Sequence, residues 1–220
     1  MLIPFVDIHT HNPVISEEII SVPSLFLQDI DLSNPFPSVF TAGIHPWHAE
    51  NFNLDEIKKM LECLTNQPKL IAVGESGLDK KCKTDLKIQK LVFELHIDFA
   101  AENQKPLIIH CVNSWNELLP YSIHSNVPFI LHGYNAGAEL TIQLVRYGFY
   151  FSIGKAILKE NSKLRQAIQV MPNTSLLFET DDDKFDVREI YQTASKILNC
   201  TVEELKRQIF INYNKIFYKL

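Results

Sequence analysis

Eight short runs of almost unbroken apolar residues recur along this chain, at 2–6, 19–26, 39–42, 70–73, 107–109, 129–131, 150–153 and 176–178. A strand with one wet face alternates polar and apolar residues, whereas a run apolar throughout is expected where both faces are covered. Segments of helical period lie between the later runs, at 54–65, 85–103, 114–124, 138–147 and 155–171. Two more, 187–198 and 202–219, follow the last run. Asn53 and Thr201 are placed to cap helices, Thr201 opening a Thr-Val-Glu-Glu box. Strands alternating with helices in this number predict an α/β fold, a TIM-type (β/α) barrel, with an open doubly wound sheet as the second-ranked architecture. The early chain fits less neatly. Only about a dozen residues separate the first two runs, near the minimum for a parallel crossover. The next connection, LQDIDLSNPFPS, has two prolines and no helical period. The expected barrel is therefore distorted, with its first one or two crossover helices missing or reduced. No boundary interrupts the pattern, so a single domain over 1–220 is expected.

Composition narrows the function classes. A net charge of −5 and a pI near 5.9 argue against broad, sequence-independent attraction to polyphosphate surfaces. They leave room for a small site that grips one phosphate through metal ions. Cys63, Cys82, Cys111 and Cys200 form no CxxC pair, which points to a reduced, cytoplasmic setting. No apolar run reaches membrane length and no basic-then-apolar leader is present, so no membrane association is expected. No obligate protein partner is readable.

Polar residues close the apolar runs with unusual consistency. His9 and His11 end the first, GIHP the third, GESGLD the fourth, HC the fifth, HG the sixth, SIG the seventh and ETD the eighth. In a barrel these ends converge on the C-terminal mouth, where such folds place their chemistry. Five of the eight histidines fall there, namely His9, His11, His45, His110 and His132, while His48, His96 and His124 do not. Singly, each motif has a plain structural explanation. A His-x-His pair is often a satisfied polar pair sharing one strand face, and a lone His110 is often only hydrogen bonded. Jointly, four histidines with Glu75 and Asp181 at strand ends point to divalent metal, with zinc, manganese or magnesium all compatible. Two ions about 3.5–4 Å apart can hold a hydroxide and clamp attacking and leaving oxygens. Asp181 is the candidate proton acceptor.

These residues, in this order, resemble the TatD family of metal-dependent deoxyribonucleases within the amidohydrolase superfamily. The landmarks are DxHxH as Asp7, His9 and His11; GxHP at 43–46; and GExGLD at 74–79. Gln89, Phe93 and Ala100 follow at matching places, then KPLIIHC, ILHGY, GFYFSIG and LLFETD. The match runs from residue 5 to the C-terminus and thins between 12 and 38. The resemblance implies that His9, His11 and Asp181 hold one metal, and that Glu75 bridges to a second held by His110 and His132. It implies that His45 approaches a substrate phosphate or a further metal. Asp7 reads as a residue supporting the ligands or closing the strand, rather than as a ligand itself. The implied reaction is metal-assisted phosphodiester hydrolysis on a DNA end or short oligonucleotide, with Asp181 and Glu75 as catalytic carboxylates. Hydrolysis of another small ester, lactone or amide is the alternative, as is a non-catalytic metal-bound module. The chain departs from the family at Val112, where an arginine is usual, and at Asp182-Asp183-Lys184, where a small residue and proline are usual. The added negative charge disfavours a polyanion unless Lys80, Lys81 or Lys155 offsets it.

Overall fold

β-Branched and aromatic side chains dominate the apolar runs, and such side chains fit a pleated surface. A computed structural model of the chain describes residues 3–31, 36 and 38–219. Its strands are β1 (Phe5–Thr10), β2 (Ile19–Phe26), β3 (Phe40–Gly43), β4 (Leu70–Asp79), β5 (Leu107–Val112), β6 (Phe129–Leu131), β7 (Tyr150–Ile153) and β8 (Leu176–Phe178). The helices are α1 (Leu54–Glu62), α2 (Leu86–Glu102), α3 (Trp115–His124), α4 (Ala138–Arg146), α5 (Leu164–Val170), α6 (Val187–Leu198) and α7 (Val202–Tyr218). Strand order along the sheet follows the chain, β1 to β8, and every described pairing is parallel. The fold is therefore α/β with the connectivity of a TIM-type barrel.

The shortened start is as the spacing requires. Residues 11–18 join β1 to β2 without a helix. The second connection opens on one 3-10 turn, Leu27–Asp29, and its residues 32–35 and 37 lie outside the described residues, as does Leu2 of the expected first strand.

Several boundaries differ from the sequence expectation, β5 among them, which runs on to Val112. β1 runs on to Thr10, so His9 stands on the strand itself. β4 continues through the whole GESGLD stretch, because its ladder with β5 pairs Ser76 with Ile109, Gly77 with His110 and Asp79 with Val112. The helix expected at 155–171 is split into a 3-10 turn, Lys155–Leu158, and α5. The break falls on Lys159, Glu160, Asn161 and Ser162, and the Ser162 hydroxyl accepts from the Leu164 amide. Asn and Ser side chains compete for backbone partners in this way and end helices.

Contacts divide the chain into two compact units, Met1–Pro23 with Leu131–Leu220, and Ser24–Ile130. In the first, α6 and α7 pack on β1 and β8, over fully buried Val6, Ile8, Phe151, Leu177 and Phe178. Tyr191 of α6 locks this layer: its hydroxyl donates to the Val6 carbonyl and accepts from the Val6 amide, each at 3.0 Å. Asn212 of α7 donates to the carbonyls of Asn173 and Leu176 at 2.6 and 2.8 Å. Thr201 and Glu204 close the expected capping box. In the second unit α2 lies along β4, burying Phe40, Val73, Phe93, Leu107 and Ile109. Each such side chain contributes about 1.5–3 kcal/mol. Asn53 caps α1 in a second box with Glu56. Among the described residues no helix is long and apolar enough to cross a membrane.

Candidate metal centre

In the first unit the donors are set by strand alternation. His9 and His11, two apart, share one face of β1. Beyond β8 the backbone runs beside them: the Asp181 amide donates to the His9 carbonyl at 2.9 Å, and the His11 amide donates to the Asp181 carbonyl at 2.8 Å. Asp181 takes a φ of 58°, a conformation that aspartate tolerates better than most residues. Its Oδ1 then lies 3.6 Å from His9 Nε2 and 3.9 Å from His11 Nε2. These gaps are too long for hydrogen bonds. Two ligands on one tetrahedral zinc, each about 2.0–2.1 Å from it, stand about 3.3 Å apart. One ligand atom from each of the three residues lies within 4.8 Å of the others, so the set fits a divalent ion. The His132 ring lies 4.4 Å from that of His9.

Behind these donors stand two buried carboxylates. Glu179, with no exposed surface, accepts from the Gly133 amide and faces His132 Nδ1 at 3.5 Å. Its Oε2 is buried and accepts no hydrogen bond among the described residues. An uncompensated buried carboxylate oxygen is costly, and positive charge nearby would relieve it. Asp7 accepts from the Thr180 amide at 3.0 Å and the Thr180 hydroxyl at 2.7 Å. Burial nonetheless pushes its carboxyl up to about 7, with the neighbouring Glu179 charge adding to the rise and the Thr180 bonds opposing it.

In the second unit Glu75, His45 and His110 meet. Glu75 Oε1 lies 2.8 Å from His110 Nδ1 and 3.2 Å from His45 Nε2. Two glycines allow the strand to make this approach. Gly74 and Gly77 have φ of 116° and 154°, and a Cβ on either would fall 2.3 Å from the Ile108 carbonyl or 2.0 Å from the His110 carbonyl. His45 Nδ1 accepts from the Trp47 amide at 3.2 Å, which leaves the proton of a neutral imidazole on Nε2. His45 is thereby set as a hydrogen-bond donor toward Glu75. The other side of His110 is held by Asp79, whose Oδ2 is 3.2 Å from Nε2. A carboxylate on the far nitrogen is the usual support of a metal-binding histidine. Burial alone would raise the Asp79 carboxyl. Hydrogen bonds from the Trp47 indole, the Lys81 amide and His110 outweigh it and hold the group below the usual carboxylate range. Gln89 clamps the Asp79 backbone on both sides, accepting from its amide at 2.7 Å and donating to its carbonyl at 3.0 Å.

The structure thus brings His9, His11, Asp181 and His132 together in one unit, and His45, Glu75 and His110 in the other. Of the rim charges, Asp183 is met by Lys155 at 2.8 Å, whereas Lys80 turns to Glu117. Four supporting residues were not assigned roles from the sequence: Asp79, Glu179, Trp47 and His96. Asp79 and Glu179 stand inside quoted motifs, so their carboxylates were the available signal. His96 is fully buried in α2; its Nδ1 donates to the Val92 carbonyl at 2.8 Å and its Nε2 accepts from the Ile44 amide at 2.9 Å. Burial lowers its pKa to about 4, keeping it neutral. It fixes the backbone immediately before His45.

Comparison with known proteins identifies the family. The family model described as TatD related DNase matches residues 19–218. An uncharacterised metal-dependent hydrolase of Buchnera aphidicola is 32% identical over 65% of this chain and 55% of its own length. The 3'-5' ssDNA/RNA exonuclease TatD of Salmonella typhimurium is 29% identical over 70% of this chain and 62% of its own. The chain therefore spans little more than half the length of these curated relatives. The solved TatD homologue YjjV from Escherichia coli superposes with a TM-score of 0.83 at 20% identity, covering 99% of both chains. With the family model matched over nearly all of its length, the chain belongs to the TatD related DNase family.

Proposed function

We propose that this chain is a metal-dependent phosphodiesterase that trims a DNA end or short oligonucleotide, acting as one hydrolase domain across 1–220 in the cytoplasm. The observation that carries the reading is the convergence of histidine and carboxylate donors at strand ends, four in one unit and three in the other, in a member of this family. The exonuclease activity for which the Salmonella relative is named supports a single-stranded nucleic-acid end as substrate. His9, His11 and Asp181 would hold one divalent ion, with Glu75, His110 and His132 as the further proposed ligands; zinc, manganese and magnesium all suit such donors. Bound metal supplies Lewis acidity and lowers the pKa of a bound water to about 7.

The chain's own groups do the rest. Asp181, aimed between His9 and His11, accepts the proton of the attacking water. His45, its Nδ1 occupied by the Trp47 amide and its Nε2 proton directed at Glu75, would turn that proton to a substrate phosphate oxygen once Glu75 serves as a metal ligand. Asp79 keeps the His110 ring from turning, and Lys155 neutralises Asp183 at the rim.

The test is elemental analysis after divalent loading, followed by end-labelled single-stranded DNA with manganese or magnesium. Wild type should carry metal and shorten the DNA progressively from one end, and the Glu75→Ala, Asp181→Ala double variant should lose both. An empty wild type removes the metal centre. A loaded protein that spares oligonucleotides but cleaves a small ester moves the assignment to the ester, lactone or amide alternative.

A further inference from the structure

We infer that Trp47 is a stacking platform for a nucleobase of the substrate, and that it sets which nucleotide the second unit's cluster engages; this rests on the phosphodiesterase reading above. Large aromatic side chains are ordinarily buried for the area they remove from water, yet Trp47 is 60% exposed. It is also held in place. Its indole N–H donates to Asp79 Oδ2 at 2.9 Å. Its ring meets His45 edge-on with centroids 4.7 Å apart, and its own amide donates to His45 Nδ1. One residue therefore touches both the proton-donating histidine and the carboxylate behind His110. A ring fixed beforehand loses little freedom on binding.

Trp47 forms part of the wall of a cavity of about 520 Å³ that also includes His110, Asp79, Lys81 and Lys83, within the range of small-ligand sites. The two lysines are exposed and offer cations to the phosphate of a neighbouring nucleotide. An aromatic face and a cationic rim beside His110 together match one mononucleotide unit of a single strand. Stacking on an aromatic ring tolerates every base and is worth about 10-fold in affinity. It requires that a base be present.

The experiment compares oligonucleotides, in DNA and RNA versions, with the same strands carrying an abasic residue at each of the terminal positions in turn. Binding is read with calcium in place of the activating metal, and KM and kcat with manganese. Wild type should bind about 10-fold more weakly at one abasic position, with KM raised about 10-fold, and the smaller KM between DNA and RNA names the sugar preferred. Trp47→Ala should bind base and abasic strands alike, and Trp47→Phe should recover part of the discrimination. If Trp47→Ala retains the wild-type ratio, the inference is overturned and Trp47 only packs on His45. Hydrolysis of bis(4-nitrophenyl) phosphate by wild type reports the phosphodiesterase reading separately. A protein that cleaves this diester without base discrimination refutes the platform alone, and one that discriminates but cleaves neither diester nor strand refutes the reading alone.

Discussion

His96 allows the support of the second unit to be measured by titration. Fully buried, it keeps a neutral ring because burial lowers its pKa from 6.5 to about 4. In the unfolded chain it takes up a proton near 6.5, so between these values the unfolded state binds more protons than the folded one. Stability from this group is then complete above the unfolded pKa and is lost as pH falls toward the folded one. Integrated from pH 7.5 to 4.5, the loss is about 2.5 kcal/mol. Asp7 works in the opposite sense, since a folded pKa raised to about 7 adds stability as pH falls. The wild-type profile therefore mixes two slopes, and the informative quantity is the difference from a non-titrating variant. His96→Gln is suited to this because its amide oxygen can reach the Ile44 amide as Nε2 does without binding a proton. Its cost at pH 7.5 should be about 1 kcal/mol from altered packing. As pH falls to 4.5 the variant should overtake wild type, the gap moving by about 2.5 kcal/mol in its favour. Urea unfolding of the metal-free proteins, followed by fluorescence and circular dichroism, gives the two profiles where the transitions coincide. Parallel profiles would refute the reasoning, for they would mean that His96 titrates alike in both states.

Gly77→Ala places a Cβ 2.0 Å from the His110 carbonyl at a φ of 154°; it should cost at least about 3 kcal/mol or prevent folding, and a loss under about 1 kcal/mol in urea would refute the steric account. Glu179→Gln removes the charge facing His132 while keeping the side chain's size. Divalent affinity, read by competition with a chromogenic chelator, should fall about 10- to 100-fold, and an unchanged affinity would take Glu179 out of the metal's support.

What the sequence shows best is whatever depends on local pattern. Leu176–Phe178 or Phe129–Leu131 read as strands because each is apolar on both faces and bounded by breakers. The ends of β4 and β5 were not legible, because a ladder pairs backbone groups whatever the side chains are, and polar Glu75, Ser76 and His110 extend it as well as isoleucine does. The ligand-type residues were legible for a related reason. A histidine or carboxylate at the close of an apolar strand is chemically out of place, so His9, His110 and Asp181 announce themselves.

Their supports do not. The indole of Trp47 reaches Asp79 across 32 residues, Glu179 reaches the Gly133 amide across 46, and His96 reaches Ile44 across 52. At those separations no periodicity connects donor with acceptor. His96 even belongs to an ordinary helix, where a histidine reads as one more partly polar position. Other supports lie close in sequence to the ligand-type residues, as Asp7 does to His9 and Asp79 to Glu75. Residues two or four apart on a regular strand share one face, so they reach the two sides of a ligand only where the strand departs from regular geometry. Asp79 illustrates the consequence: four residues after Glu75 on β4, it contacts His110 from the side opposite to Glu75. The strand manages this only because glycines at 74 and 77 let it depart from regular extended geometry. The glycines of GExGLD are thus as much a part of the site as its carboxylates, and substituting either should displace Glu75 and Asp79 together rather than one alone.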